Sequence, residues 1–293
     1  MGSIQQRMRD AATGAGNSVV AVGHGAGVVI EDGLVLTNAH NVTSREPSVQ
    51  FSDRSKRTAT VRGADLDGDL AVLEVDTDGA NPLGWGEAPE IGDEVTTVAP
   101  TRSGPRVTVG YVAAAGQTFR GPRGRPVTGA IEHTAPLARG SSGSPILDTD
   151  GRLVGINTHR RRHGFYLAVP STDDLRATVE ALASGETLRP PRLGIAVAPP
   201  QIAKGLRAAV GLDDRPGLLI RDVTEDSPAA RAGLGRGDLI VAAGDEEITE
   251  VDQLFSALAA AASGTLHLTV VRGEEERQVA VPLAGETEEE GAV

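Results

Sequence analysis

A chain of 293 residues, 39% apolar and 23% charged, is long enough for two ordinary domains that each bury a core. Its formal net charge of −12 argues against nucleic acid as a partner, because phosphate binding needs clustered Lys and Arg. With no cysteine, disulfides, thiol catalysis and thiolate metal sites are excluded. No run approaches the ~18 apolar residues of a membrane span. The opening Met1-Gly2-Ser3-Ile4-Gln5-Gln6-Arg7 lacks the apolar core of a signal peptide. As it stands the sequence reads as cytoplasmic; if it begins after a removed signal, it reads as periplasmic or extracellular.

From Ser18 to about Val98 the pattern is short Val-rich strands broken by Gly and Asp, clearest at Val19–Val22, Gly27–Ile30, Leu34–Thr37 and Leu70–Val75. Asp32-Gly33 supplies the positive φ of a hairpin turn between two of them. Residues 106–113, 127–134, 145–147, 152–157 and 165–170 repeat the pattern, which predicts barrels or a sandwich rather than βαβ units. One helix is expected next, capped by Ser171 or Thr172, with Asp173 and Asp174 in its first turn and Gly185 past its end. Residues 184–189 read as a linker leading into Pro190-Pro191.

Beyond it the pattern is mixed. Ser227-Pro228 opens a short helix closed by Gly233, and 252–262 is a longer one. Strands are predicted at Gly217–Val223, Asp238–Ala242, Thr265–Arg272 and Gln278–Leu283, giving a small α+β domain over 190–285 and an acidic tail over 286–293.

Three local strings carry chemistry only in combination. Leu36-Thr37-Asn38-Ala39-His40 ends a strand in a histidine, which alone is commonly structural. Asp67-Gly68-Asp69 stands at the mouth of the apolar strand Leu70-Ala71-Val72-Leu73 and alone is a turn; Asp65 and Asp67 are rival acids there. Gly140-Ser141-Ser142-Gly143-Ser144-Pro145 alone is a flexible loop. Together they set His, Asp and Ser in order, 29 and 73 residues apart.

On these residues the chain resembles the HtrA/Deg family of trypsin-fold serine proteases, whose motifs are Thr-Asn-x-His, Asp-Leu-Ala-Val-Leu and Gly-Asn-Ser-Gly-Gly-Pro. Gly25–Ile30, Leu153–Asn157 and Ala168–Ser171 extend the similarity. The resemblance implies a mainly β protein: a trypsin-like double β-barrel over 12–183, then a PDZ domain. It implies Ser142 as nucleophile, His40 as general base and Asp69 as the acid that orients it. The backbone N–H groups of Gly140 and Ser142 would form the oxyanion hole. Leu137 takes the family position that lines the S1 pocket, which favours aliphatic P1 side chains. Arg160–Arg162 follows nearby and is a candidate for attracting acidic substrate residues. Two positions depart from the motif: Ser141 stands for Asn, and Ser144 for the second Gly.

In the second domain Arg192-Leu193-Gly194-Ile195 resembles the PDZ carboxylate-binding loop, where successive N–H groups meet a peptide C-terminus. A peptide would add as a strand between Ile195–Val197 and the 252–262 helix, with Leu254 and Leu258 as pocket residues; their alternative is ordinary core. The terminal Gly291-Ala292-Val293 is itself a peptide end of the type such domains bind. The resemblance implies peptide-bond hydrolysis in unfolded or damaged proteins without metal or cofactor, with homotrimers common in the family. That assembly often uses aromatics near the N-terminus, whereas the first aromatic here is Phe51. The competing expectation is a catalytically silent chaperone or peptide-binding adaptor on the same fold.

Overall fold

A computed structural model describes residues 3–283 except 123, 162–163, 189–190, 199 and 262–263. The chain divides into two compact units, residues 1–189 and 190–292. The expected tail over 286–293, Arg162 and Ala262 lie outside the described residues.

The first unit opens with helix α1 (Ile4–Gly14), before any strand. The sequence pattern did not predict it, because its polar run Gln5-Gln6-Arg7 hides a one-sided contact. Ser3 caps it by accepting the Gln6 N–H, Ala11 is buried, and Arg7 makes two hydrogen bonds of 2.7 and 2.8 Å to Glu94. Seven strands follow: β1 (Val19–Val22), β2 (Gly25–Glu31), β3 (Leu34–Thr37), β4 (Ser48–Gln50), β5 (Lys56–Thr58), β6 (Thr60–Asp65) and β7 (Leu70–Glu74). They form one sheet in the order β5-β4-β1-β2-β3-β7-β6. The predicted Asp32-Gly33 hairpin joins β2 to β3, with Gly33 at φ +79° and Glu31 opposite Leu34.

The second half is a closed six-stranded barrel, β10-β13-β12-β11-β8-β9. Its strands are β8 (Glu94–Thr101), β9 (Gly104–Arg120), β10 (Pro126–His133), β11 (Pro145–Leu147), β12 (Leu153–Arg160) and β13 (Tyr166–Pro170). Helix α2 (Asp173–Ala183) closes the unit; Thr172 is the cap, accepting the Leu175 N–H, with Asp173 and Asp174 favourably placed against the helix dipole. One core joins the halves: Val28, Leu36 and Val72 from the first sheet meet Leu147, Leu153 and Ile156 from the barrel and Leu175, Val179 and Leu182 from α2. At ~25 cal/mol per Å² of apolar surface, such contacts hold the two halves in fixed register.

Two registers position the site. In the β3–β7 pair Thr37 faces Ala71, so the residues just beyond the ends of the two strands emerge at the same edge. In the β11–β12 pair Pro145 faces Ile156, which lays the turn before β11 across the segment after Ile156.

The second unit is built on the sheet β14-β15-β16-β18-β19, with β17 beside β16. The strands are β14 (Ile195–Val197), β15 (Leu218–Val223), β16 (Leu239–Ala243), β17 (Glu246–Glu247), β18 (Thr265–Arg272) and β19 (Glu275–Pro282). Its helices are α3 (Pro200–Ala209), α4 (Pro228–Arg231, capped by Ser227) and α5 (Val251–Ala261). Helix α3 was not expected; it buries Ala203 and Arg207 while its large apolar residues Ile202 and Leu206 are exposed, so its sequence shows no apolar stripe of the usual kind. Leu218, Ile220, Ile240, Leu268 and Val270 form the core, closed by Leu254 and Leu258 of α5.

Candidate active site

His40 lies in a single 3-10 turn, Ala39–Asn41, directly after β3. Asp69 sits immediately before β7 in the left-handed region, φ +61°, a conformation that Asp tolerates better than most residues. Its carbonyl accepts from the Ala39 N–H at 3.2 Å and from Asn38 Nδ2 at 2.9 Å, which holds that conformation. The Asp69 carboxylate is fully buried and spends its oxygens inward. Oδ1 accepts the His40 backbone N–H at 3.0 Å, and Oδ2 lies 2.7 Å from His40 Nδ1. A buried carboxylate so placed fixes the imidazole with its proton on Nδ1 and its Nε2 lone pair outward. The rival acids are occupied elsewhere. Asp65 accepts the N–H groups of Asp67 and Gly68, and Asp67 lies 3.7 Å from Arg125. Burial raises the Asp65 carboxyl above the ordinary carboxylate value, against those two backbone bonds.

Ser142 stands in the turn that leads into β11. Its carbonyl accepts from the Ala26 N–H at 2.8 Å and from Asn41 Nδ2 at 2.9 Å, both from the first half. The turn is also tied to the barrel, because the Gly143 N–H donates to the Asn157 carbonyl at 2.7 Å. Gly143 is required: at φ +88°, a Cβ there would stand 2.0 Å from the Ala26 carbonyl oxygen. Gly140 also has positive φ, +84°, and among the described residues no acceptor meets the N–H of Gly140 or Ser142. Two unused donors flanking a serine hydroxyl are what an oxyanion requires. Leu137 is half-buried in the segment leading to this turn and belongs to none of the core clusters.

Three residues near the site escaped the sequence reading. The Ser142 hydroxyl donates to the Thr158 carbonyl at 2.7 Å. The Thr158 hydroxyl donates to Asp69 Oδ2 at 3.2 Å, so Thr158 touches both acid and serine. Asn41 spans the two halves as described. His159 follows with its ring centroid 6.0 Å from that of His40 and 4.8 Å from that of Phe119. Only the resemblance of the Ile156-Asn157 segment to a strand after the nucleophile hinted at Thr158. The basic run is not one free face. Arg161 donates to the Thr118 carbonyl at 3.0 Å and lies 3.9 Å from Glu132, while Arg160 sits over the Tyr166 ring at 5.9 Å.

In the second unit Leu193 is buried, and Gly194 has φ +76° with its carbonyl accepting the Thr224 N–H at 2.8 Å. Among the described residues no acceptor meets the N–H of Leu193 or Gly194. Strand β14, carrying half-buried Ile195 and Val197, pairs only with β15 and leaves one edge open. Leu254 and Leu258 are 5% and 4% exposed, inside the core rather than on an open wall; half-buried Val251 and Phe255 pack against the same cluster. The terminal residues 291–293 lie outside the described residues. Among the described residues no group of three or more His, Cys, Asp or Glu could hold a metal ion, and no helix is long and apolar enough to cross a membrane.

A buried Asp–His pair, joined through Thr158 to a serine with two unused N–H donors, has the make-up of a trypsin-like site. Residues 25–156 match the trypsin-like peptidase domain, and residues 219–272 match the PDZ domain. The chain is 30% identical over 283 residues to the probable periplasmic serine endoprotease DegP-like of Brucella suis biovar 1, covering 92% of this chain and 54% of that protein. It is 31% identical over 278 residues to serine protease HTRA1 of Xenopus tropicalis, covering 89% of this chain and 60% of that one. Among solved structures, the HtrA-type protease AlgW with decapeptide superposes with a TM-score of 0.70 at 22% identity, covering 94% of this chain and 98% of that one. The serine endoprotease from Yersinia pestis gives 0.67 at 24% identity, covering 97% and 98%. The fold is therefore mainly β, two trypsin-like β-barrel halves followed by a small α+β PDZ domain. The chain is HtrA/DegP-like, with a trypsin-like peptidase domain and a PDZ domain, and it spans between about half and three-fifths of the length of the curated relatives it matches.

Proposed function

We propose that this chain is a serine endopeptidase that cleaves unfolded or damaged proteins, with its catalytic domain over 12–183 and a PDZ domain over 190–285. The observation that carries the reading is the fully buried Asp69 carboxylate held 2.7 Å from His40 Nδ1. A buried charge is costly unless it is paired, and this one is paired to an imidazole through Nδ1, which leaves Nε2 free to act as a base. Ser142 attacks the scissile carbonyl as His40 takes its proton. Asp69 stabilises the imidazolium, which then returns the proton to the leaving amine. The N–H groups of Gly140 and Ser142 receive the charge on the carbonyl oxygen, each such donor contributing roughly 3 kcal/mol in comparable sites. Leu137 lines the pocket for an aliphatic P1 side chain. The PDZ domain takes peptide C-termini: the N–H groups of Leu193 and Gly194 meet the carboxylate, and the peptide pairs with Ile195–Val197 alongside α5.

One observation favours a second reading, a silent peptide-binding chaperone. The Ser142 hydroxyl is directed to the Thr158 carbonyl and not to His40. The same bond suits a resting enzyme whose serine hydroxyl leaves Thr158 before attack. Fluorophosphonate labelling of wild type and Ser142→Ala, alongside digestion of an unfolded protein, decides between them. Labelling of wild type alone with digestion supports the peptidase; neither labelling nor digestion supports the chaperone.

A further inference from the structure

The Thr158 hydroxyl has two neighbours and one proton. Asp69 Oδ2 lies 3.2 Å away and His159 Nδ1 lies 2.7 Å away, the shorter of the two contacts. The carboxylate can only accept, and it is fully buried. A proton given to it forms a charge-assisted bond, roughly twice as strong as one given to a neutral imidazole. The Thr158 proton therefore goes to Asp69, and its oxygen accepts from His159. That requires a hydrogen on His159 Nδ1.

We propose that His159 is a positioning residue of the catalytic set, donating from Nδ1 to the Thr158 hydroxyl and so holding that hydroxyl on Asp69. The inference rests on the reading of Ser142, His40 and Asp69 as the catalytic residues. The result is a directed chain of hydrogen bonds, His159 to Thr158 to Asp69, in which each bond polarises the next. Without the donor at Nδ1 the hydroxyl is free to turn toward another acceptor, and Asp69 loses the one side-chain hydrogen-bond partner besides His40 that it has among the described residues. The His159 ring is held for this role between Phe119, at 4.8 Å, and His40, at 6.0 Å. The charged and titratable groups around it are Asp69 and His40. Burial pushes the His159 imidazole below its ordinary value, with His40 acting in the same direction and Asp69 against it, so near neutral pH the donor is a neutral ring whose tautomer is set by Thr158.

Two measurements test this. Nitrogen NMR on the whole chain with labelled histidines, His159 being assigned from the signal missing in His159→Asn, reads the tautomer without any demand on activity. Hydrogen on Nδ1 is expected near pH 7.5; hydrogen on Nε2 alone overturns the proposal. The second is a double-mutant cycle on the fluorophosphonate labelling rate. His159→Leu is expected to slow labelling about three- to tenfold, the range of one neutral hydrogen bond. His159→Asn, whose side-chain N–H reaches the position of Nδ1, restores the rate to within about twofold. In a Thr158→Val background, His159→Leu should cost nothing further, because its effect passes through the missing hydroxyl. Equal rates in wild type and His159→Leu, or additive losses in the cycle, overturn the inference while leaving the peptidase reading intact. Absence of labelling in wild type at every pH overturns the peptidase reading, and the NMR result then still decides the tautomer.

Discussion

The turn around Ser142 and the loop around Gly194 use the same local device and support it differently. Each places a glycine at positive φ, Gly143 at +88° and Gly194 at +76°, and each leaves two backbone N–H groups without an acceptor among the described residues. The Ser142 turn is clamped from both halves of its unit. Asn41 reaches its carbonyl from 101 residues away, Ala26 adds a second bond, and the Asn157 carbonyl holds Gly143. At the Gly194 loop the bonds to Leu193 and Gly194 come from the backbone, from Thr224 to Gly194 and from Ala229 to Leu193. The difference follows from the task. Transition-state stabilisation depends on donors fixed within fractions of an ångström, so the catalytic turn needs a rigid polar shell. Strand addition at β14 needs only an open edge and a few aligned N–H groups.

Substituting the two glycines breaks the comparison most directly. In Gly143→Ala the new Cβ meets the Ala26 carbonyl oxygen at 2.0 Å, a backbone atom inside a paired strand that has little room to yield. Strain in φ adds to that collision, and together they should cost the first unit about 3 kcal/mol or more and abolish labelling of Ser142. In Gly194→Ala the Cβ meets the Cβ of Ser227 at 2.3 Å, at the start of a four-residue helix that can shift. The expected cost is about 1–2 kcal/mol, with loss of peptide binding and unchanged labelling. Thermal unfolding, labelling and titration with a fluorescent C-terminal peptide read the three effects. Loss of labelling in Gly194→Ala would show that the two loops are not independent.

Acid sharpens the contrast between the units. Behind the Ser142 turn lies His133, fully buried, with its Nε2 2.8 Å from Asn157 Oδ1. Asn157 Nδ2 donates to the Ser144 hydroxyl at 3.0 Å and to its carbonyl at 3.2 Å. The amide oxygen is thus left to accept, and Nε2 must carry the hydrogen. Burial pushes the imidazole down to about 4, outweighing the bond to Asn157. The unfolded chain binds this proton below its ordinary value of 6.5 while the folded one refuses it. Stability is therefore full above that value and falls as the pH drops toward 4, by about 3 kcal/mol in all. In the second unit burial alone would raise Asp238, but two 2.7 Å bonds from Arg272 and the Gly235 N–H hold it below 3.8. Its contribution is present above that value and is lost only as the pH falls below it. Hydrogen exchange followed separately in the strands of each unit should show the first weakening between pH 6.5 and 4 while the second holds. His133→Gln, which keeps an amide N–H for Asn157 and does not titrate, should flatten that loss.

These two regions also mark where sequence reading works and where it stops. His40, Asp69 and Ser142 stand in local strings, two beside a strand end and one in a glycine-flanked turn, so each is visible without knowing its partner. The β3–β7 register that brings His40 to Asp69 follows from two apolar runs of matching length. Thr158, Asn41 and His133 reach Asp69, Ser142 and Asn157 across 89, 101 and 24 residues, and no motif in their own neighbourhoods marks those contacts. The expected helices were those marked by capping residues, as at Thr172 and Ser227-Pro228, or by apolar spacing, as over 252–262. Helix α1 has a cap, but its apolar signal is weak: it is held by Arg7 on Glu94 and buries Ala11. Leu254 and Leu258 were legible as apolar positions of α5. That both face the core depends on the packing of α5 against β18, which the spacing does not encode.

The smallest expected effects come from the two helix caps, and they test whether the units respond separately. Thr172 accepts the Leu175 N–H at 3.3 Å, and Ser227 accepts the Ala230 N–H at 3.1 Å. Removing either hydroxyl leaves one helix N–H without its partner, at a cost of about 1 kcal/mol. For Thr172→Ala the loss should fall nearer the low end, because the bond is long and Asp173 and Asp174 still favour the positive end of α2. Ser227→Ala removes the cap of α4 but keeps the Cβ that packs against Gly194, so peptide affinity should hold while the unfolding transition of the second unit drops. Each substitution should move only its own unit's transition in calorimetry. A shift of both by either one would mean that the units melt as one cooperative block, and the separate acid responses would then have to disappear as well.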